Sequence, residues 1–206
     1  MIKNVIFDVG RVLVDWDPEP MFRELGFDGE TAKIVARATV YSDDWAEYDR
    51  SAVSDEEMLE KFISNAPAYE KEIRLVWENA GRPVHRRPYA AEWIRSLRRE
   101  GYHVYILSNY SRHTYEQTGE ELSFVREADG ALFSFEIGLI KPEPEIYQSL
   151  FSRFQLDPKE CIFLDDCEEN ITAGEALGMS GIVFRSYEQA IAELAGYGVG
   201  CHGENA

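Results

Sequence analysis

The spacing of apolar residues changes period along this chain, and the changes divide it into three stretches. Val5-Ile6-Phe7 is a continuous apolar run that stops at Asp8 and Gly10. A short run of this kind, bounded by a turn signal, predicts a strand buried on both faces of a parallel sheet. Val12-Leu13-Val14 is apolar again and is broken by Asp15-Trp16-Asp17-Pro18. From there to about Pro83 no strand pattern occurs. Thr31 to Val40 carries Val35, Ala38 and Thr39 at helical spacing, and Ser54-Asp55-Glu56-Glu57 reads as a capping box. It opens a helix with Met58, Leu59, Phe62 and Ile63 inside, and Tyr69, Ile73, Val76 and Trp77 mark another. The expectation is an all-helical insert over 16–83.

Beyond Gly81-Arg82-Pro83, helix and strand alternate. Tyr89, Trp93, Ile94 and Leu97 form a helix face that Gly101 ends, and Tyr102 to Leu107 is a strand running into Ser108-Asn109. Weak helical periodicity follows from Ser111 to Val125, then a strand over Ala131–Ile137. Pro142-Glu143-Pro144-Glu145 starts a helix with acids in its first turn. Cys161 to Leu164 is a strand ending at Asp165-Asp166, followed by a helix that Gly178 stops. Gly181 to Phe184 is a strand, Tyr187 to Leu194 a helix, and the glycine-rich tail from Gly196 is expected to fray. Such alternation specifies an α/β fold with a parallel sheet and helices on both faces.

A length of 206 residues allows one domain with an elaboration, or two small ones. Lys and Arg total 21 against 38 Asp and Glu, a net charge of −17. That surface repels nucleic acid and anionic membrane and excludes both as partners. An anionic substrate would also be repelled, so it needs a local cation or a metal. No segment reaches transmembrane length, and the N-terminus lacks a signal-peptide run. Cys161, Cys167 and Cys201 fall at no metal or disulfide spacing. A cytoplasmic protein, monomer or dimer, is expected.

In an open α/β sheet, ligands bind beyond the carboxyl ends of the strands. Three predicted strands end in groups that could meet there: Asp8, Ser108-Asn109 and Asp165-Asp166, with Lys141 at a loop-to-helix junction. Taken singly, each has an ordinary explanation as a turn, cap or surface residue. Their shared placement is what points to a site.

The segments FDVGRVLVD, YILSN, LIKPEPEIY and FLDDCEENI resemble, in order, the four motifs of the haloacid dehalogenase superfamily. Among its branches the chain resembles sugar phosphatases related to α-glucose-1-phosphatase and the phosphatase domain of soluble epoxide hydrolases. The resemblance implies a Rossmann-like core over 1–15 and 84–206, with 16–83 as a small helical cap. It implies a Mg²⁺-dependent phosphatase acting on a small phosphorylated metabolite, such as a sugar phosphate, through an aspartyl phosphate. Asp8 would be the nucleophile, and Asp8, the Gly10 carbonyl and Asp166 the Mg²⁺ ligands, with Asp165 holding a metal-bound water or standing just behind. Ser108 and the Asn109 backbone would bind phosphate oxygens. Lys141 would neutralise the charge shared by phosphate and Asp8, oriented by Asn170. Arg11, Trp45, Tyr48, Tyr110 and His113 are candidates to touch substrate, whereas Cys167 is expected to be a buried, inert thiol.

One departure stands out. Phosphatases of the superfamily usually carry a second aspartate two residues after the nucleophile, as general acid and base, and this chain has Gly10. Without it, leaving groups that need little protonation, such as sugar 1-phosphates and aryl phosphates, should outrun 6-phosphates. A metal-free 2-haloacid dehalogenase and a catalytically silent binding protein are the alternatives.

Overall fold

The computed structural model describes residues 1–200. In chain order the elements are β1 (Asn4–Phe7), β2 (Val14–Trp16), α1 (Glu19–Glu24), α2 (Gly29–Ala38), α3 (Trp45–Arg50), α4 (Asp55–Asn65) and α5 (Glu70–Glu78). Then come β3 (Val84–Arg86), α6 (Ala90–Arg99), β4 (His103–Ser108), α7 (Arg112–Gln117), β5 (Gly130–Phe133), α8 (Ser134–Ile137) and α9 (Pro144–Phe154). The chain closes with β6 (Cys161–Asp165), α10 (Glu168–Ala176), β7 (Ser180–Val183) and α11 (Tyr187–Gly196).

Five strands form one sheet in the order β5-β4-β1-β6-β7, and every pairing in it is parallel. The central position of β1 explains its unbroken apolar run, since alternate side chains enter two different cores. Val5 and Phe7 join Val104, Ile106, Ile162 and Leu164 beneath Trp93, Ile94 and Leu97 of α6 and Ala190 and Leu194 of α11. Ile6 points the other way, with Leu107 and Phe163, against Ile146, Tyr147 and Leu150 of α9. This is the two-faced, Rossmann-like arrangement that strict alternation of helix and strand requires.

Helices α1 to α5 bury their own cluster, including Phe22, Val35, Tyr48, Phe62 and Ile73. The predicted capping box at Ser54 is formed: its hydroxyl accepts from Glu57 N at 3.2 Å while the Glu57 carboxylate accepts from Ser54 N at 3.0 Å. Where the helical block meets the sheet, β2 and β3 pair antiparallel, Val14 opposite Arg86 and Trp16 opposite Val84. No strand was expected here. Three residues show too little alternation to signal a strand, and only the partner 70 residues away defines it. Trp16 packs against both the sheet core and the helical cluster.

Three more differences are local. The strand expected over Ala131–Ile137 stops at Phe133, because the Ser134 hydroxyl, fully buried, accepts from Tyr110 N at 2.8 Å and donates to the Asp49 carbonyl at 2.6 Å. The chain therefore coils into α8, which Gly138 ends at φ 69°. The helix expected from Ser111 to Val125 is two pieces, α7 and a 3₁₀ turn over Ser123–Glu127. The tail does not fray at Gly196. Val199 is buried, and Tyr102 Oη donates to the Gly198 carbonyl at 2.8 Å. Cys201 lies outside the described residues, and Cys161 and Cys167 are free thiols, Cys167 only half-buried. Among the described residues no helix is long and apolar enough to cross a membrane.

Candidate active site

Strands β4, β1 and β6 are neighbours in the sheet, so Ser108, Asp8 and Asp165 lie side by side along its carboxyl edge. Lys141 reaches them from the loop between α8 and α9. Its Nζ lies 2.8 Å from Asp8 Oδ1 and 2.6 Å from Asp165 Oδ2, and all three side chains are buried. The remaining capacity of Asp165 is taken up locally. Cys167 N donates to its Oδ1 at 2.8 Å, and Asn170 Nδ2 donates to both oxygens at 3.0 and 3.1 Å. Asn170 thus holds Asp165 and makes no hydrogen bond to Lys141, which the sequence reading expected it to orient; it bears on the lysine only through Asp165. The Asn109 side chain does touch the Lys141 backbone, accepting from its N–H at 2.7 Å and donating to its carbonyl at 3.0 Å. That clamp gave no sequence signal, because only the fold brings the two loops together.

Burial dominates the electrostatics. It pushes Asp8 up to about 6, against the pull of Lys141 and with help from Asp165 and Asp166. Asp166 is raised by burial and by Asp165, opposed by Arg11, whose Nη1 lies 3.6 Å away. Burial works against the Lys141 charge, yet Asp165 and Asp8 outweigh it and raise its pKa, so the ammonium is held. Asp8, Asp165 and Asp166 each offer a carboxylate oxygen within 4.8 Å of the others. With Asp165 saturated by protein donors, Asp8 and Asp166 are the carboxylates with capacity left. An all-oxygen donor set carrying surplus negative charge fits a hard divalent cation such as Mg²⁺.

Above this floor opens a cavity of about 330 Å³ lined by the charged Asp8, Arg11 and Asp166 and by Gly10. Arg11 takes the left-handed conformation, φ 58°, uncommon for a residue with a side chain, and its guanidinium lies 5.6 Å from the Trp16 ring centre. Trp16 at the end of β2 and Tyr41 and Trp45 from the helical block supply an aromatic wall, and Tyr110 and Asn109 line the cavity from the core. Of the substrate candidates, Arg11, Trp45 and Tyr110 therefore face the cavity. Tyr48 does not: it is buried, its hydroxyl 2.8 Å from Thr114 Oγ1. His113 also turns away and stacks on Trp77 at 4.1 Å. Ser108 sits at the strand end as expected, but its hydroxyl is buried beneath the cavity, 3.5 Å from the Asn109 carbonyl. Sequence reasoning missed Trp16, Tyr41, Ser111 and Asp49, which also line the space. Asp49 sits in a stretch with Asp43, Asp44 and Glu47 that reads as ordinary surface charge.

A family model for haloacid dehalogenase-like hydrolases matches residues 2–178. The chain is 30% identical over 188 residues to the D-ribitol-5-phosphate phosphatase of Bacteroides thetaiotaomicron, covering 86% of this chain and 89% of that protein. It is 24% identical over 184 residues to a sesquiterpene phosphatase of Aspergillus oryzae, covering 87% and 88%. Its fold superposes with a TM-score of 0.69 on a HAD family enzyme of B. thetaiotaomicron in complex with magnesium and inorganic phosphate, at 23% identity over 92% of this chain and 99% of the other. With four motif segments converging on one carboxyl edge and a family match spanning most of its length, the chain belongs to the haloacid dehalogenase-like hydrolases.

Proposed function

We propose that this hydrolase is a Mg²⁺-dependent phosphatase of a small phosphorylated metabolite, working through an aspartyl phosphate on Asp8. The observation that carries the reading is the Asp8–Lys141–Asp165 arrangement beside Asp166. It is a strand-end carboxylate, charge-balanced on one oxygen, at the floor of a cavity of metabolite size. Asp8 and Asp166, with the Gly10 carbonyl, would hold the cation, whose charge makes attack of a carboxylate on a phosphate electrostatically feasible. Lys141 steadies the nucleophile and offers positive charge to the phosphoryl oxygens. Asp165, oriented by Asn170, keeps Lys141 in place. Ser111 and the backbone around Asn109 border the space where phosphate would sit.

Residues 16–83 serve as the cap that selects the substrate, and 1–15 with 84–206 as the catalytic core. The aromatic wall of Trp16, Tyr41 and Trp45 suits a polyol or sugar whose carbon faces stack on rings, and it would also accept a more apolar chain. The free thiols and acidic surface fit a cytoplasmic enzyme. The experiment is a screen of phosphorylated sugars, polyols and isoprenoids for phosphate release with Mg²⁺ and with EDTA. Release that EDTA stops and Mg²⁺ restores is expected. Metal-independent release of halide from a 2-haloacid, with no phosphate release, would instead establish the dehalogenase.

A further inference from the structure

Gly10 stands where phosphatases of this superfamily usually carry an acid, yet the backbone there does not demand glycine. Its φ lies outside the left-handed range, and an added Cβ would meet only Asp8 Oδ2, at 3.9 Å. The absent side chain leaves open space beside the nucleophile. On the far side of that space stands α3. Asp49 lines the same cavity as Asp8, Gly10 and Asp166. Its carboxylate makes no hydrogen bond or ion pair among the described residues, whereas its neighbours are engaged: Tyr48 with Thr114, Arg50 with Glu143. The Asp49 carbonyl accepts from Ser134 Oγ at 2.6 Å, so the helix is fastened to the core at this residue. A sheltered carboxylate without a partner costs stability, and it is explicable where it handles a proton.

We propose that Asp49 is the general acid and base of this enzyme, supplying from the cap the proton transfers that Gly10 cannot. The inference rests on the phosphatase reading. In the first half-reaction an Asp8 oxygen bonds to phosphorus and the ester P–O bond breaks. The electron pair stays on the leaving oxygen, which takes the Asp49 proton. In the second, water attacks phosphorus, its proton passes to the Asp49 carboxylate, and the bond to Asp8 breaks. Ester and water become alcohol and phosphate, and Asp49 ends protonated as it began.

Its proton affinity suits the task. Asp49 keeps some exposed surface because it faces the cavity, but protein encloses it. That enclosure, and then the charge of Asp8, push its pKa up to about 7 while Lys141 pulls it down. An acid is most useful with a pKa near the working pH. The charged and titratable groups around the cavity, besides Asp49, are Asp8, Asp166, Arg11, Tyr41 and Tyr110; Lys141 lies beneath Asp8 and Tyr48 beside Asp49 on α3. Arg11 pairs with Asp166 and Arg50 with Glu143, so neither cation neutralises Asp49.

The test compares kcat/KM for an aryl phosphate and a primary alkyl phosphate in wild type and Asp49→Asn, with Mg²⁺. A phenolate leaves without a proton, whereas an alkoxide needs one. Asp49→Asn should lose ~10²-fold or more on the alkyl ester, and less than about tenfold on the aryl ester. Adding Gly10→Asp to that variant should recover alkyl turnover. With the aryl ester the variant should release a burst of phenol stoichiometric with enzyme, because water attack is now slow. Should Asp49→Asn fail to fold, wild type alone decides: alkyl kcat/KM should fall above about pH 7 while aryl kcat/KM does not. Equal losses on both esters, no loss on either, or superimposable wild-type profiles above that pH would overturn the proposal and leave a phosphatase. Wild type that releases phosphate from neither ester would overturn both.

Discussion

Lys141→Met removes the ammonium between two buried carboxylates while keeping most of the side-chain volume, and its effect should depend on pH. In the native site Nζ lies 2.8 Å from Asp8 and 2.6 Å from Asp165, with all three residues under 8% exposed. Taking one partner from a buried ion pair costs ~3–5 kcal/mol, because the charge left behind is unpaired. Here two charges of the same sign are left, and Asp8 is already raised to about 6 with Lys141 in place. Without the lysine Asp8 must be raised further, each pKa unit corresponding to ~1.4 kcal/mol. A carboxylate raised in the folded state contributes stability that is intact below its unfolded pKa and is lost as pH rises through the folded value. The variant should therefore be about 3–5 kcal/mol less stable than wild type at pH 8. At pH 5 protonation relieves the repulsion, and the difference should shrink towards the ~1.5 kcal/mol of a volume-conserving core change. Urea unfolding of both proteins in EDTA, at steps from pH 5 to 8, measures this directly. A difference that stays constant across the range, or stays below about 1 kcal/mol at pH 8, would refute the reasoning.

Asp8→Asn should abolish turnover and, by removing a carboxylate raised from 3.8 to about 6, make the metal-free protein more stable above pH 6; phosphate release and thermal melts check both, and near-wild-type turnover would exclude Asp8 as nucleophile. Mg²⁺ should raise the Tm of the wild-type protein as well as its rate. Asp166→Ala should shift the Mg²⁺ dependence of both to much higher concentration, since one of few hard ligands is lost; an unchanged requirement would move the metal elsewhere. Gly10→Asp in the wild-type background places a Cβ that meets nothing nearer than Asp8 Oδ2, at 3.9 Å. Because Asp49 already supplies the proton, the substitution should leave the ratio of kcat/KM values for sugar 6-phosphates and 1-phosphates little changed, and a clear rise in favour of the 6-phosphates would mean that the wild-type site lacks an acid.

Much of the core site was legible in the sequence because its residues mark strand ends. Asp8 and Asp165 close continuous apolar runs, and a parallel sheet must bring such ends to one edge. Lys141 was legible through the segment around it, not through position. What escaped depends on contacts between distant segments. The β2–β3 ribbon exists only as a pairing of two short pieces. The Asn109 clamp on Lys141 joins two loops, and a lone serine at position 134 turned an expected strand into α8. Asp49 is the clearest case. In sequence it is one more acid among many, and only the packing of α3 against Ser134 turns it towards the cavity it shares with Asp8. Tyr48 and His113 failed in the opposite sense: Tyr48 is buried in the helical cluster and His113, on α7, stacks on Trp77 of that cluster, so neither faces the cavity.

The charge network at the sheet edge is closed on itself. Lys141 contacts Asp8, Asp165 and the Asn109 side chain, and Asp165 is completed by Cys167 and Asn170; none of these residues belongs to the helical block. For the evolution of the chain this means that the two halves can drift at different rates. On the function proposed here, substitutions among Trp16, Tyr41, Trp45 and Asp49 would change what is bound, and how its departing oxygen is treated, without disturbing the buried charges around Asp8. The core tolerates no such experiment, because each of its groups completes another. New activities in a lineage built this way should therefore arise by changes in the cap, laid over a catalytic edge that stays as it is.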